Sequence, residues 1–580
     1  MRAFLAVTVA PGVTLDPTAA ALACLGPDAE RFDTSDGWVA HAGADEHDLL
    51  GRPGGEFTVS LSRLRRTREG DSSAGDLAAM LVDGAGLTEL LPPFAAAHRG
   101  PGGPITVAND WLGYRQLYWW QGEGVAAVST SARALAELSG GGFDEAGLGA
   151  QAMIGWQIGD RTLFDGVRAL PPASLVTLAR GSIHMRRYAQ PLGSAAPVAV
   201  DDAVEEMAAI LTAFTSSYLE EHPSTVLQLT GGHDSRILLG AVPLKQRTDL
   251  RALTVGASGH PDVVIARRLS QRYGLQHNVH ALDDVVPSPA AAFDLALEAA
   301  HALEYQASPM ALAPLLLLES RLDQGHRLSG LGGEVARGFY YAGQPSDAVT
   351  SARLVERLAQ WRIFANEAVA TAALDPGFAA SASSSTLSSL VSLFPGGDWL
   401  RATDSFYLYH RMHRWSGAHG TVAAVRRLAV NPMFDRRFLE LALAVAPSEK
   451  RDSLLLGRLM TRLDPELARI PLDSGLIPAR LGTRSVATRV AVASVTARKA
   501  AGKVRQKLTH GRRAQLGAPE AAALVVAHWR SAPDSCGALL SSPYLNARWV
   551  EGLLSGAHDA DATTVAFLVN LLAATSPLRH

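Results

Sequence analysis

The residues that are best suited to chemistry lie in segment 226–239. There an apolar run ends in Thr230, Gly231 and Gly232, and a helix-forming run follows. This order predicts a strand, a tight glycine turn and a helix N-terminus, whose exposed N–H groups suit a phosphate or pyrophosphate. Asp234, beside the turn, could hold the Mg²⁺ that neutralises such an anion. Two glycines before a helix can also form a plain turn, but the polar neighbours Thr230, Asp234 and Ser235 favour a binding loop.

A second glycine-rich loop occupies residues 329–334 and contains Glu334. If both loops close neighbouring strands of one sheet, Glu334 faces Asp234, and the two carboxylates could share a Mg²⁺ ion. The alternative for Glu334 is an acidic residue that only stabilises the N-terminus of a helix. We favour the metal role because both loops recur on one predicted sheet edge.

The elements that would position these loops alternate between helix and strand patterns. Helices are predicted at 202–221, 262–273, 289–304 and 309–322, and strands at 251–256, 277–280 and 326–329. Such alternation indicates a parallel sheet with its ligand at the carboxyl ends of the strands. Residues 1 to about 190 show short apolar runs between Gly, Pro and Asp, which is typical of a strand-rich domain. A linker is predicted near 192–200, and residues 350–580 are predicted to be mostly helical.

Length and composition restrict the class of protein. A chain of 580 residues can form two or three domains, and its net charge of −3 gives no overall case for nucleic-acid or membrane binding. Two cysteines, Cys24 and Cys536, exclude a disulfide scaffold and a cysteine zinc site. The apolar runs are too short to span a bilayer, and the first ten residues are predicted to form a strand rather than a signal peptide. We therefore expect a cytoplasmic protein.

One segment departs from the near-neutral charge of the chain. Residues 484–513 contain nine basic residues and no acidic residue. The segment is either a solvated helix face or mobile insertion, or a docking surface for an acidic partner, a leader peptide or RNA. The absence of interleaved aromatic residues weakens the case for nucleic acid.

Loop 230–235 resembles the Ser-Gly-Gly-x-Asp-Ser loop of the N-type ATP pyrophosphatases, with Thr230 in place of the first Ser. More widely, the chain resembles the asparagine synthetase class B family, whose members include β-lactam synthetases and lasso peptide cyclases. The segments that carry this resemblance are 110–118, 160–172, 230–235, 261–277, 328–340 and 431–435.

The resemblance implies an α/β protein with two domains. Residues 1–191 would form an Ntn-hydrolase-like αββα sandwich of the glutaminase type. Residues 200–580 would form an adenine-nucleotide α-hydrolase-like synthetase domain with a parallel sheet and a largely helical C-terminal part. ATP and Mg²⁺ are the implied cofactors, with Asp234 and Glu334 as metal ligands. The residues expected to bind ATP are Thr230, Gly231, Gly232, Asp234, Ser235, Thr254, Val255, Gly256, Gly330 and Gly332.

Three positions depart from the family pattern. Arg2 stands where glutamine-dependent members carry a nucleophilic Cys, so the glutaminase-like domain should be inactive. Leu331 replaces a residue that contributes to the general base in related enzymes. No Lys follows Ile470, where the family has one that contacts the phosphates. Arginine could substitute for that lysine; the candidates are Arg469 and Arg480, which we assign as catalytic, with Lys450 and Arg337 as further possibilities.

These features predict an ATP-dependent ligase that adenylates a carboxylate, releases pyrophosphate and couples an amine. Its substrate could be a precursor peptide that closes into a macrolactam, or a small molecule in natural-product biosynthesis. The general base remains open among Glu304, Tyr305, Asp404, His410 and His413. Two alternatives remain for the protein as a whole: a degenerate ATP-binding scaffold, and an asparagine synthetase-like or RNA-modifying ATP pyrophosphatase.

Overall fold

The computed structural model describes residues 2–16, 18–43, 49–52, 54–193, 196–257, 259–282, 286–322, 325–508 and 517–575, and within them the side chains outside 365–366, 499–500 and 503–508. The chain is a mixed α/β protein with two six-stranded sheets and one five-stranded sheet. All strand pairs in the two larger sheets are antiparallel, and all pairs in the smaller sheet are parallel.

The antiparallel sheets contain the strands β1 (Ala3–Val9), β2 (Glu30–Thr34), β3 (Gly37–Ala42), β4 (Leu49–Gly51), β5 (Phe57–Ser60), β6 (Ala95–Arg99), β7 (Ile105–Asn109), β8 (Tyr118–Gly122), β9 (Val125–Ser129), β10 (Arg168–Ala169), β11 (Ser174–Ala179) and β12 (Ser182–Arg187). The parallel sheet contains β13 (Val226–Gln228), β14 (Arg251–Val255), β15 (Gln276–His280), β16 (Arg327–Leu328) and β17 (Ala429–Val430).

Helices before the last strand are α1 (Ala19–Ala23), α2 (Ala74–Asp83), α3 (Ala132–Ser139), α4 (Glu145–Ile154), α5 (Val200–Glu221), α6 (His233–Ala241), α7 (Leu244–Arg247), α8 (Pro261–Tyr273), α9 (Pro289–Ala302), α10 (Pro309–Glu319), α11 (Ala352–Leu358), α12 (Phe364–Glu367), α13 (Pro376–Leu393), α14 (Trp399–Phe406) and α15 (Gly417–Arg426). Helices after it are α16 (Arg436–Ala444), α17 (Pro447–Lys450), α18 (Leu454–Leu463), α19 (Pro465–Ala468), α20 (Pro478–Leu481), α21 (Val486–Leu508), α22 (Ala518–Ser531), α23 (Ala547–Leu554) and α24 (Ala562–Thr575). A π-helix, Tyr407–Ser416, joins α14 to α15.

The two antiparallel sheets stack face to face in the N-terminal part. Their strand orders are β10-β8-β9-β1-β3-β2 and β12-β11-β7-β6-β5-β4. Apolar side chains of both sheets, among them Phe4, Val39 and Val176, form one cluster between them. Helix α2 covers the outer face of the second sheet through Leu77 and Leu81, and α3 packs on β8 and β9 of the first. The result is a helix–sheet–sheet–helix arrangement, whose inner strands are buried on both faces.

The parallel sheet has the order β15-β14-β13-β16-β17. Its central strands β13 and β16 are neighbours, with Val226 opposite Arg327 and Leu227 opposite Leu328. The loops that follow these two strands therefore emerge side by side at the carboxyl edge of the sheet. The chain forms β14 and β15 before it returns to pair β16 with β13, and this adjacency positions the candidate site.

The N-terminal part and the remainder of the chain share a continuous apolar core. The π-helix contributes to the polar side of this junction. The Gln116 amide donates to the His413 carbonyl oxygen at 2.7 Å, and the Arg414 guanidinium donates to the carbonyl oxygens of Gly159 and Arg161 at 2.8 and 2.7 Å. The junction is thus held by buried hydrogen bonds as well as by apolar packing.

The predicted parallel sheet is confirmed, with differences at the ends of elements. The strand predicted at 326–329 contains only Arg327 and Leu328, because the backbone turns into the glycine loop at Ser329. The fifth strand, β17, was not predicted, since two residues show no periodicity. Part of the predicted linker, 194–195, lies outside the described residues. Among the helices of the described ranges, none combines the length and apolar character that a bilayer crossing needs.

Candidate active site at two glycine loops

The first loop joins β13 to α6 and is stabilised largely by its own polar groups. The Thr230 N–H donates to Ser235 Oγ at 3.0 Å, and the Gly232 N–H donates to Thr230 Oγ1 at 3.3 Å. The Gly231 N–H donates to Asp262 Oδ1 at 2.7 Å. Three N–H groups of the turn that was expected to expose donors to a phosphate are thus hydrogen-bonded within the protein. The N-terminus of α6 remains the donor end of the loop, because Gly232 gives it no side-chain cap.

The second loop packs directly against the first, and its glycines are what permit this approach. A Cβ atom on Gly330 would lie 2.5 Å from the carbonyl carbon of Asp234 and 2.7 Å from the backbone nitrogen of Ser235. A Cβ atom on Gly333 would lie 2.3 Å from Asp234 Oδ1. Gly332 has φ +110°, a left-handed conformation that favours glycine. Side chains at these positions would force the loops apart.

Asp234 and Glu334 meet one guanidinium at the interface of the two loops. Arg337 Nη2 lies 3.5 Å from Asp234 Oδ2 and 3.8 Å from Glu334 Oε1. Glu334 belongs to the 3₁₀ turn Gly333–Arg337, and its Oε2 accepts the Gly332 N–H at 3.1 Å. Glu334 therefore lies in the first turn of a short 3₁₀ helix and faces the same guanidinium as Asp234, while its metal role stays a prediction.

The carboxyl group of Asp234 is electrostatically under-compensated. Burial, together with the nearby negative charge of Glu334, raises its pKa to about 7, against the opposing effect of Arg337. Its Oδ1 is buried, and no hydrogen-bond donor among the described residues reaches it. Buried charges in proteins are normally paired or bound to metal. Two carboxylates that converge on one point, one of them with an unused oxygen, fit a hard divalent cation such as Mg²⁺.

A third segment, 470–475, completes the surroundings of the first loop. The Asp473 N–H donates to the Gly231 carbonyl oxygen at 3.1 Å. The buried Arg236 guanidinium donates to the carbonyl oxygens of Ile470 and Pro471 at 2.9 and 2.6 Å. The segment in which the resemblance expects a lysine thus does lie at the loop. It brings no cationic side chain of its own, because Pro471 and Leu472 stand there.

The two arginines assigned as replacements for that lysine do not contact the paired carboxylates. Arg469 is exposed and forms an ion pair with Glu466 at 2.7 Å. Arg480 is exposed on α20. Lys450 is buried against Asp404. Among the four cationic candidates, Arg337 is the one that the structure places at the two loops.

The prediction that the end of β14 binds ATP also needs a correction. Thr254 Oγ1 donates to the Leu229 carbonyl oxygen at 2.7 Å and lies 2.8 Å from His277 Nε2, with the side chain buried. The Gly256 N–H donates to the His280 carbonyl oxygen at 2.9 Å. Thr254 therefore supports the base of the first loop, and its hydroxyl is not available to a ligand. Val255 is the last residue of β14 and is half-buried at the carboxyl edge of the sheet.

None of the candidate bases belongs to the two loops. Glu304 accepts the Ala132 N–H at 2.8 Å and so caps α3 of the N-terminal part. In the π-helix His413 is buried and His410 half-buried, and burial lowers the pKa of His410 to about 4 and holds the pKa of His413 well below its ordinary value. The described residues contain no cluster of three or more His, Cys, Asp or Glu side chains suited to a metal, so this histidine pair lacks further ligands. Leu331 packs against the apolar core.

Sequence reasoning missed the roles of Arg236 and Asp262, and it gave Arg337 only as a further possibility beside Arg469 and Arg480. Asp262 lies in a segment that carried the family resemblance, and its position after a predicted strand was the available signal. Arg337 lies three residues beyond Glu334, a spacing that places both side chains on one face of a helical turn. Arg236 lies two residues beyond Asp234 and carried no such signal.

Comparisons with known proteins add little to this geometry. No family model matches the chain, and no curated protein matches it. One similar solved structure is that of "the allosteric regulatory enzyme of purine biosynthesis", with 11% sequence identity and a TM-score of 0.23. The alignment covers 48% of this chain and 80% of that one. A TM-score this low supports no inference about fold or activity.

Proposed function

We propose that this protein is an ATP- and Mg²⁺-dependent ligase that forms amide bonds through an acyl-adenylate. In this reaction a substrate carboxylate attacks the α-phosphorus of ATP, and pyrophosphate leaves. An amine then attacks the acyl carbon, AMP leaves, and the amide forms. The observation that carries the proposal is the convergence of Asp234 and Glu334 on Arg337 where two glycine loops meet at the carboxyl ends of β13 and β16.

Each group in the site has a role in this chemistry. Asp234 and Glu334 would hold Mg²⁺, which when bound neutralises phosphate charge and so favours departure of pyrophosphate. The N-terminus of α6 directs its N–H groups and dipole toward the same anion. Arg337 supplies the fixed positive charge that the family lysine would provide, with a planar fork of donors suited to phosphate oxygens.

The source of the amine follows from the N-terminal part. Arg2 is buried, and its carbonyl oxygen accepts the Arg115 guanidinium at 3.3 Å. A buried arginine in place of a nucleophilic cysteine cannot release ammonia from glutamine. The proposed amine therefore belongs to the substrate itself or to a second substrate, as in closure of a precursor peptide to a macrolactam or assembly of a small amide. A cytoplasmic location, where ATP is available, accords with this chemistry.

Product analysis tests the proposal. The wild type is incubated with Mg–ATP and a panel of amino-acid and peptide carboxylates, and the products are identified by ³¹P NMR. We expect AMP and pyrophosphate, lost in Asp234→Asn and Glu334→Gln but kept in Glu466→Gln, a control at an exposed carboxylate. Formation of ADP and phosphate instead would contradict adenylation.

A second candidate is a nucleotide-binding scaffold without turnover. The observation that favours it is the apolar character of Leu331, Pro471 and Leu472, positions where the resemblance expects a base and a cation. Mg²⁺-dependent ATP binding that is lost in Asp234→Asn, with no nucleotide cleavage across the panel, would support the scaffold over the ligase.

A further inference from the structure

The docking role of the basic segment 484–513 stays a prediction, because residues 509–513 and the side chains of 499–500 and 503–508 lie outside the described residues. A different feature, lined by described residues, is a cavity of about 360 Å³ beside the parallel sheet. It lies between α9, α10 and α22, three helices that pack on one another.

Small side chains account for the empty volume between these helices. Ala292 of α9 and Ala313 of α10 line the cavity, and each is only 3% exposed. Helix α22 contributes Ala521 and Leu524, whose spacing of three residues places both on one face of the helix. Larger side chains at the alanine positions would fill the space, so the cavity follows from the residues that stand there.

The cavity begins where two strands of the parallel sheet end. Ala257 and Leu282 line it, and they follow β14 and β15 by two residues each. A Cβ atom on Gly517 would lie 3.0 Å from Leu282 Cδ1, so the N-terminus of α22 also lies at this edge. Because neighbouring strands are about 4.8 Å apart, β14 and β15 end about 5 and 10 Å from β13, which carries the first glycine loop. A ligand in the cavity would therefore lie beside the candidate active site.

The chemistry of the lining restricts the class of ligand. The lining side chains are apolar apart from Glu520, in the first turn of α22. Glu520 and Val286 are both exposed, Val286 to 74%, and so lie at the mouth of the cavity. An apolar interior favours an apolar ligand, and one carboxylate at the mouth favours a cation over an anion. Glu520 can also stabilise the N-terminus of α22, but this role alone would give no preference for cations.

We propose that this cavity binds an amine with an apolar body, whose ammonium group lies beside Glu520. The apolar body would contact the alanine and leucine side chains of the three helices and release water from them. The ammonium group would stay partly solvated at the mouth. Such binding does not require the ligase reaction, although that reaction needs an amine and the cavity lies beside the glycine loops.

Ligand-observed NMR on the full-length protein, without nucleotide, tests the charge preference. The probes are phenethylamine, phenethyl alcohol and hydrocinnamate, which share one apolar body. We expect affinity to fall in that order, with the amine about fivefold tighter than the alcohol at low salt, as one exposed charge pair allows. Glu520→Gln should remove this preference and leave the affinity for the alcohol unchanged. Glu551→Gln, at an exposed position of α23, is the matched control and should bind like the wild type.

A second variant tests the cavity itself. Ala521→Phe should place a ring in the cavity and weaken binding of the amine and the alcohol alike, by at least about tenfold, because the apolar contacts are lost. Ala523→Phe, at an exposed position of the same helix, should bind like the wild type. Urea denaturation checks that both variants fold. The exposed Glu520 site keeps the test decisive if Ala521→Phe does not fold.

Four results would overturn the proposal: absence of amine binding, an amine preference that persists in Glu520→Gln, equal weakening by Ala521→Phe and Ala523→Phe, and displacement of the amine by α,β-methylene-ATP. The last result would assign the cavity to the nucleotide. Amine binding by a protein that releases no AMP in the product analysis would contradict the ligase alone. Release of AMP by a protein that binds no amine in this cavity would contradict the amine site alone.

Discussion

Substitution of Gly333 by alanine should disturb the proposed metal site more than it destabilises the fold. A Cβ atom at this position would lie 2.3 Å from Asp234 Oδ1 and 2.8 Å from its Cγ, with Met433 Sδ at 3.1 Å. Contacts of Cβ atoms below 3.0 Å are essentially never seen, so the carboxylate must retreat by at least about 0.7 Å. The clash falls mainly on the end of a side chain, and the cost in folding free energy should be about 1–3 kcal/mol.

The effect on metal binding should be larger than the effect on stability. Displacement of a ligand or of its support typically lowers metal affinity by about 10–100-fold. Isothermal titration of the protein with Mg²⁺ in the presence of a non-hydrolysable ATP analogue measures this change, and chemical denaturation measures stability. Gly396→Ala, where no atom lies within 4 Å of the added Cβ, is the matched control.

A different result is expected for Gly330→Ala, because there the added Cβ meets backbone atoms of Asp234 and Ser235 at 2.5–2.8 Å. The backbone cannot retreat as a side chain can, so this variant should lose more stability than Gly333→Ala. If Gly333→Ala folds and binds Mg²⁺ and the nucleotide as tightly as the wild type, the carboxylate of Asp234 does not hold the metal, and the reasoning fails.

Three further predictions concern charged groups. Arg337→Ala should weaken binding of the ATP analogue by about 10–100-fold, because a charge-assisted contact is lost, and Arg337→Lys should recover part of it; calorimetry that shows no change in Arg337→Ala would reject this role. Burial raises the pKa of Glu304 from its ordinary 4.5 to about 7, so the folded state binds the extra proton and stability falls as pH rises through this window. Glu304→Gln should therefore match the wild type near pH 4.5 and exceed its stability above pH 7 in urea titrations, whereas identical pH profiles would contradict the assignment. Lys450→Met should cost about 3–5 kcal/mol by leaving Asp404 buried without its cation, and Lys450→Met/Asp404→Leu should recover much of that loss in the same titrations; a single variant as stable as the wild type would contradict the buried pair.

The strand and helix pattern around the first loop could be read from the sequence because it is local. An apolar run, two glycines and a helix-forming run define a strand, a turn and a helix within fourteen residues. The alternation that followed predicted the parallel sheet, since β13, β14 and β15 are separated by helices of ordinary length. Strand β17 was not predicted because its two residues lie in an otherwise helical region and pair with β16 only after the chain returns to the sheet.

The hydrogen-bond and ion-pair partners of the site residues could not be predicted, because they depend on contacts between distant segments. Nothing local shows that the Gly231 N–H is taken by Asp262, or that the Thr254 hydroxyl is turned toward Leu229. Sequence position likewise favoured Arg469, which lies beside the expected lysine, whereas the fold turns it outward to Glu466. Arg337 reaches Asp234 only because β13 and β16 are neighbours.

The central claim, a Mg–ATP site between the two glycine loops, is tested most directly by crystals grown with Mn²⁺ and α,β-methylene-ATP. We predict an anomalous Mn²⁺ peak in contact with the carboxylates of Asp234 and Glu334, with phosphate oxygens at the N-terminus of α6 and within reach of Arg337. A nucleotide bound elsewhere, or a Mn²⁺ peak that neither carboxylate contacts, would contradict it.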